Sequence, residues 1–175
     1  TGSTVLSLTG LTSNNLLALK FNLDGTYATW YMRVTNCYGI SMNVNSTHRY
    51  VCGNKISTAL QNIVINGSTV GNIPVTVNTY TSFVVKLDVN DSFLWRAYVD
   101  NGSSSNDSFI LSSIDSSDNV FLCGQKKSGS ISRINGSATD TIASATVDFA
   151  YVVKFNSSGS YASWYSYVLS STSIE

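Results

Sequence analysis

The chain repeats itself, and a tandem repeat limits a fold more than any single motif does. Each copy has to bury its apolar surface against the next in the same way. Residues 17–31, Leu-Ala-Leu-Lys-Phe-Asn-Leu-Asp-Gly-Thr-Tyr-Ala-Thr-Trp-Tyr, align without a gap with residues 151–165, Tyr-Val-Val-Lys-Phe-Asn-Ser-Ser-Gly-Ser-Tyr-Ala-Ser-Trp-Tyr. Residues 83–96, Phe-Val-Val-Lys-Leu-Asp-Val-Asn-Asp-Ser-Phe-Leu-Trp-Arg, carry the same phrase with one residue fewer in its turn. Lys20, Lys86 and Lys154 are spaced by 66 (86−20) and 68 (154−86) residues, and Trp30, Trp95 and Trp164 by 65 and 69. A second phrase keeps the same order and period: Ile40-Ser-Met-Asn-Val-Asn-Ser-Thr-His-Arg-Tyr-Val-Cys52-Gly-Asn-Lys answers Ile110-Leu-Ser-Ser-Ile-Asp-Ser-Ser-Asp-Asn-Val-Phe-Leu-Cys123-Gly-Gln-Lys.

Each phrase reads as a β-hairpin. Apolar residues alternate through Phe83, Val85 and Leu87, a turn of Asp, Asn, Ser or Gly follows, and alternation resumes through Phe93, Trp95, Ala97 and Val99. In the second strand one face holds Trp30, Met32 and Val34, or their counterparts Trp95, Ala97 and Val99; the other holds Tyr31, Tyr98 or Tyr165. Apolar groups on both faces imply a small sheet sandwiched between two neighbours. That is the condition of a propeller blade. The expected fold is therefore all-β: four-stranded antiparallel sheets, about 66–68 residues per unit, forming a partial arc of a larger β-propeller. Residues 1–55 are expected to form a partial first unit, with an outer hairpin at 17–34 and an inner one at 39–54. Residues 56–127 make a complete second unit with an insertion at 56–81, and 128–175 a partial third with an insertion at 128–148. The insertions are expected to be outer decorations, the first with an extra strand pair at 62–65 and 73–77. By the lysine offsets the chain falls about one hairpin short of three units. Since rings of about four to eight blades are known, this points to a piece of a longer chain or to assembly of several copies.

Composition excludes several partners. Only 11% of residues are charged and formal net charge is zero, so Ser, Thr and Asn supply most of the wet surface. Nucleic acid and anionic membranes need a clustered basic footprint, which is missing. Membrane insertion is not expected, because no apolar run approaches about 18 residues. One Pro (Pro74), one Glu (Glu175) and abundant Val, Ile, Thr, Tyr and Phe favour strand nearly everywhere. A low-charge, hydroxyl- and amide-rich surface suits an extracellular or particle-surface location: secreted, cell-surface or virion.

The run of two apolar residues, Lys, an apolar residue, Asp or Asn, a polar turn and Trp is followed by Ile110-x-x-x-Ile114-Asp115-x-x-x-Asn119-Val120-Phe121-Leu122-Cys123-Gly124. It resembles the SBBP-type β-propeller repeat of bacterial and archaeal surface proteins and some giant-virus proteins. The resemblance covers residues 17–55, 83–126 and 151–168. The units are longer than is usual in that family, and its Asp-x-x-x-Asn pair reads Asn45 and Arg49 in the earlier copy. The resemblance implies a fold and a setting but no activity, because a fold does not name a function.

No constellation of catalytic chemistry emerges. His48 is the one histidine and falls at a turn tip, the place of a solvated side chain. Asp88/Asp91 and Asp115/Asp118 have a spacing that could serve a hard cation, but both pairs fall in turns, where Asp caps backbone N–H groups. Trp30, Trp95 and Trp164 could stack on sugars, yet their repeated position suits packing between sheets. Lys20, Lys86 and Lys154 suit buried stems with heads bonded to a neighbouring unit's carbonyl or carboxylate. Cys37, Cys52 and Cys123 read as small buried hydrophobes rather than a disulfide set. Sequons at Asn45, Asn66, Asn90, Asn101, Asn106, Asn135 and Asn156 are compatible with glycosylation, and a chain this rich in Asn, Ser and Thr also produces them by accident. No residue is assigned as catalytic, cofactor-binding or metal-ligating, and no cofactor is expected. The expected role is a non-enzymatic structural or interaction scaffold, partnered by other proteins or further copies of the chain. A glycan- or protein-binding, lectin-like propeller is the alternative, and a fragment of a propeller hydrolase the third reading.

Overall fold

The computed structural model of the chain describes residues 14–76, 80–102, 108–126, 129–131, 133–135, 142–145 and 147–169. Among them there is no helix. The strands, in chain order, are β1 (Asn15–Phe21), β2 (Tyr27–Thr35), β3 (Cys37–Val44), β4 (His48–Ile56), β5 (Gln61–Ile65), β6 (Ser68–Ile73), β7 (Tyr80–Asp88) and β8 (Phe93–Gly102). They continue with β9 (Ser108–Ile114), β10 (Val120–Lys126), β11 (Gly129–Ile131), β12 (Arg133–Ile134), β13 (Ile142–Ala145), β14 (Phe149–Phe155) and β15 (Tyr161–Leu169). All pairings are antiparallel. The first sheet has the order β1-β2-β5-β6, the central sheet β12-β8-β7-β4-β3 and the third β15-β14-β10-β9, while β11 and β13 pair separately.

The repeated phrases become repeated geometry. The Lys phrase forms β1–β2, β7–β8 and β14–β15, and in each hairpin the register slips at or next to the lysine. The second phrase forms β3–β4 and β9–β10. Its leading isoleucine is the bulged residue both times: Gly39↔Gly53 and Ser41↔Cys52 skip Ile40, while Phe109↔Gly124 and Leu111↔Cys123 skip Ile110. A bulge bends its strand and raises the local twist, so a shared phrase there preserves a shared shape. The sheets are phased across the repeat. The inner hairpin β3–β4 joins β7–β8 on the far side of the 56–81 insertion, as β9–β10 joins β14–β15 across the next one.

Alternation along the central sheet feeds two cores. Phe83, Val85 and Leu87 point, with Val51 and Tyr98, toward Leu16, Trp30, Met32, Val34, Ile63 and Ile73 of the first sheet. Val84, Ala97 and Val99 point the other way with Tyr50 and Cys52, toward Val120, Leu122, Phe149, Tyr151, Val153 and Phe155 of the third. Each fully buried Val, Leu or Phe contributes about 1.5–3 kcal/mol. Two such cores therefore hold the stack far more strongly than the ion pairs described below. Contact is closest where glycine removes a side chain. A Cβ on Gly53 would lie 2.5 Å from the Tyr38 carbonyl oxygen and 2.7 Å from Leu16 Cδ1 of the first sheet.

The insertions do more than decorate. Strand β5 follows β4 in the chain but pairs with β2 of the first sheet, with β6 outside it at the edge; β12 follows β11 but pairs with β8, at the edge of the central sheet. The first insertion thus adds two strands to the preceding sheet and the second adds one. The first insertion is a tight hairpin with Asn66 and Gly67 at its tip, both with positive φ (48° and 85°), as a two-residue type I′ turn requires. This turn places the second strand at 68–73 rather than 73–77, and Pro74, unable to donate to a ladder, follows its end.

Candidate functional site

The hairpin turns gather at one end of the sheets and share one design. The amide of Asp88 donates to the Ser92 carbonyl and that of Asp91 to the Asp88 carbonyl; Asp115/Asp118/Asn119 and Asn156/Gly159/Ser160 repeat this. The first side chain of each turn caps it. Asp88 Oδ1 accepts from the amides of Asn90 and Ser92, and Asp115 Oδ1 from those of Ser117 and Asn119. The fourth position is left-handed, at φ 66° in Asp91, 64° in Asp118 and 83° in Gly159. Two carboxylates three residues apart therefore divide their work: the first closes its own turn and the second is turned toward the neighbouring sheet.

At the first seam, Lys20 Nζ donates to Asp91 Oδ2 at 2.6 Å. Arg49 Nη1 lies 2.9 Å from Asp91 Oδ1 but aims its hydrogen bonds at the carbonyls of Asp88 and Val89. Its contact with Asp91 is thus one of charge more than of aligned hydrogen bonding. At the second seam, Lys86 Nζ donates to Asp118 Oδ2 at 3.0 Å and to the Ser157 carbonyl at 3.2 Å. It also lies 5.5 Å from the ring centre of Tyr50 and 5.7 Å from that of Trp95, within cation–π range. Asn45 Nδ2 donates to Asp118 Oδ1 at 2.7 Å, and His48 Nδ1 is 2.7 Å from Asp118 Oδ2. Burial alone would raise the Asp118 pKa, but hydrogen bonds from Lys86 and Asn45, with the Tyr50 phenol close by, outweigh it and hold the carboxyl below its ordinary value. Tyr50 shows the reverse: burial, then the Asp118 charge, push its phenol well up.

Over this second seam opens a polar cleft of about 720 Å³, lined by Asn45, Ser46, Thr47, Asp115, Asp118 and Ser157 among others. It offers hydroxyls, amides and carboxylates to a polar ligand. Its carboxylates are already engaged, Asp118 by Lys86, His48 and Asn45 and Asp115 by its own turn amides and Asn119. His48 Nδ1 meets Asp118 and the Thr47 hydroxyl, and the described residues place no serine hydroxyl on Nε2, so a nucleophile–base–acid relay is not assembled. Among the described residues no three His, Cys, Asp or Glu side chains converge to hold a metal ion.

The residues singled out from the sequence now have places. His48 is half-buried against Asp118 rather than solvated at a turn tip, because β9–β10 of the next sheet brings the carboxylate to it. Trp30 lies in the first core, and Trp95 packs against the second with its indole N–H donating to the Ser157 carbonyl at 2.9 Å. The side chain of Trp164 lies outside the described residues. Lys20 and Lys86 cross to the next sheet, while Lys154 Nζ sits 5.4 Å from the Phe121 ring centre of its own sheet. All three cysteines are free thiols; burial pushes Cys37 up to about 12 and Cys52 to about 11, which keeps both unreactive. Of the sequons, Asn45 is spent on Asp118 and on its turn amides. Asn66 and Asn135 have their Oδ1 atoms taken by the amides of Tyr31 and Tyr98, while Asn156 caps its turn. Asn90 is exposed, and the side chains of Asn101 and Asn106 lie outside the described residues.

Two groups escaped the sequence reading. Asn66 and Asn135 each accept from a tyrosine amide and return their own amide to the same tyrosine's carbonyl, clamping an insertion strand to the preceding sheet. The signal was present as Ile65-Asn66-Gly67-Ser68 and Ile134-Asn135-Gly136-Ser137, a third repeated phrase inside otherwise divergent insertions. The other is Lys55, fully buried and bonded to the carbonyls of Ala59 and Pro74, whose pKa burial depresses to about 8. No protein-family model matches the chain, and neither a curated protein nor a solved structure matches it.

Proposed function

We propose that the chain is a non-enzymatic structural repeat module, an arc of β-propeller blades that serves as an assembly or interaction scaffold on a cell or particle surface. One observation carries the reading: the central sheet is apolar on both faces, and the same repeat positions are buried at both of its seams. A sheet built in this way serves to be stacked. The radial arrangement is supported by the edges. At the β3 and β9 edge, small polar side chains touch directly, Ser41 Oγ to Ser112 Oγ at 2.7 Å and Asn43 Nδ2 to Ser112 Oγ at 2.6 Å. Farther out, Trp95, Phe149 and Tyr151 separate the sheets. A stack thin at one edge and thick at the other is a wedge, and wedges make an arc. The repeat phrases, with their resemblance to SBBP-type propellers, agree with that shape. The low-charge surface supports the setting, and the engagement of both cleft carboxylates by neighbouring side chains and turn amides suits a non-enzymatic role. No described helix is long and apolar enough to cross a membrane. Cross-linking mass spectrometry on the intact source particle or envelope tests the role. Linkages from this chain to other subunits are expected, and a chain recovered free, with no inter-subunit linkage, would contradict it.

The polar cleft favours one second reading, a glycan-binding propeller using Ser46, Thr47, Asp115 and Ser117. A glycan array with binding abolished by Asp115→Ala supports that reading, and an array without hits removes it.

A further inference from the structure

We infer that the outer face of the first sheet is a docking surface for a second copy of this chain, which seats the outer face of its third sheet there, head to tail. The inference deepens the scaffold reading and rests on it.

Leu17, Leu19 and Phe21 of β1 stand at the repeat positions of Phe83, Val85 and Leu87 in β7 and of Tyr151, Val153 and Phe155 in β14. The second and third sets are sealed, each residue no more than 1% exposed, because the preceding sheet lies on them. The first set is 41%, 40% and 57% exposed, although it is as apolar. A face kept apolar at three repeat positions, but sealed in only two sheets, has the shape of the missing partner written into the other two.

That partner is a face of the central-sheet kind, formed by Tyr50, Cys52, Val84 and Lys86, all 3% exposed or less. Its repeat counterparts on the third sheet are Phe121, Cys123, Val152 and Lys154, all half-buried rather than sealed. Charge agrees with shape. Lys20 and Lys86 each reach a turn of the following sheet. Lys154 is bonded to no such turn and rests over Phe121. The turn it would meet, 22–26, repeats the turn 156–160 with the same left-handed glycine. Gly159 has Trp95 packed within 2.8 Å of where its Cβ would be, whereas Gly25 has nothing within 4 Å. The contact joins two different faces, so it is heterologous and propagates until a ring closes or a filament grows.

Sedimentation equilibrium of the whole chain over a concentration series, with two variants, tests this. The wild type should exceed its 18.9 kDa monomer mass as concentration rises. Leu19→Asp and Lys154→Glu each spoil one face at an exposed or half-buried side chain, and each alone should be reduced to monomer. Mixed, they retain one good face apiece and should form a 1:1 dimer of twice the monomer mass that grows no further. A wild type that stays monomeric overturns the inference, and so does a mixture that stays monomeric while the wild type associates. Imaging the associated wild type separates the two proposals. Closed rings support both, whereas straight filaments that the variants dissolve support the face pairing and refute the propeller curvature.

Discussion

At the scale of single residues, the ion pairs between sheets differ in worth because they differ in burial. Lys86 is almost wholly buried and Asp118 about one-fifth exposed, whereas Lys20 is 42% exposed. Asp118→Asn leaves a buried ammonium facing a neutral amide, and should cost about 2–4 kcal/mol in urea unfolding. Lys20→Met should cost about 1 kcal/mol or less, since Arg49 still faces Asp91. The lowered Asp118 pKa adds a sign. Its contribution is present above the ordinary carboxylate value of 3.8 and is lost as pH falls through the folded value, so the gap between wild type and Asp118→Asn should narrow in acid. Lys55 acts in alkali. Its folded pKa of about 8 lies below the ordinary 10.5, so the unfolded chain holds the proton longer and stability should rise with pH above 8. From about pH 9 the two buried thiols oppose it, because Cys37 and Cys52 stay protonated only when folded. Unfolding curves across pH 7–11 should peak near pH 9, and Lys55→Met should abolish the rise. Lys20 and Lys86 were legible in the sequence as cross-sheet anchors, whereas Lys154, expected to behave likewise, rests on its own sheet. The pairing of His48 with Asp118 was not legible, since 70 residues separate them and they stand in two different copies of the repeated phrase.

At the scale of elements, the hairpins could be read directly because alternation and turn chemistry are local. Which hairpins share a sheet could not. Chain order suggests that β1–β2 and β3–β4 belong together, but the sheets form across the insertions, and that choice is made by edge pairing that leaves no local signature. The clamp at Asn135 gives this pairing a measurable energy. Asn135 Oδ1 accepts from the Tyr98 amide and its Nδ2 donates to the Gly159 carbonyl, so Asn135→Ala should cost about 1–2 kcal/mol. Hydrogen exchange should show the loss as faster exchange at the Tyr98 amide, with β3–β4 unaffected. Gly53→Ala should cost more, about 3 kcal/mol, because the intruding Cβ meets a backbone carbonyl that cannot swing aside as a side chain could. Calorimetry on that variant should show a lowered Tm with the same strand content by circular dichroism.

At the scale of the molecule, one step is taken twice, first sheet to central and central to third, with equivalent repeat positions buried each time. The repeat announced that step. The curvature proposed for it was not announced, because it would depend on how thick the aromatic layer is relative to the serine contacts at the β3 and β9 edge. Equivalent, exposed turn positions Leu23, Val89 and Ser157 mark the three sheets. Spin labels placed there, in pairs and by chemistry that spares the cysteines, report the step and the bend in one set of distances. An arc of equivalent blades predicts equal 23–89 and 89–157 separations of roughly 10 Å between backbones, and a 23–157 separation shorter than their sum. Unequal steps would contradict the repeat of one stacking geometry, and a 23–157 separation equal to the sum would describe a flat stack and end the propeller reading.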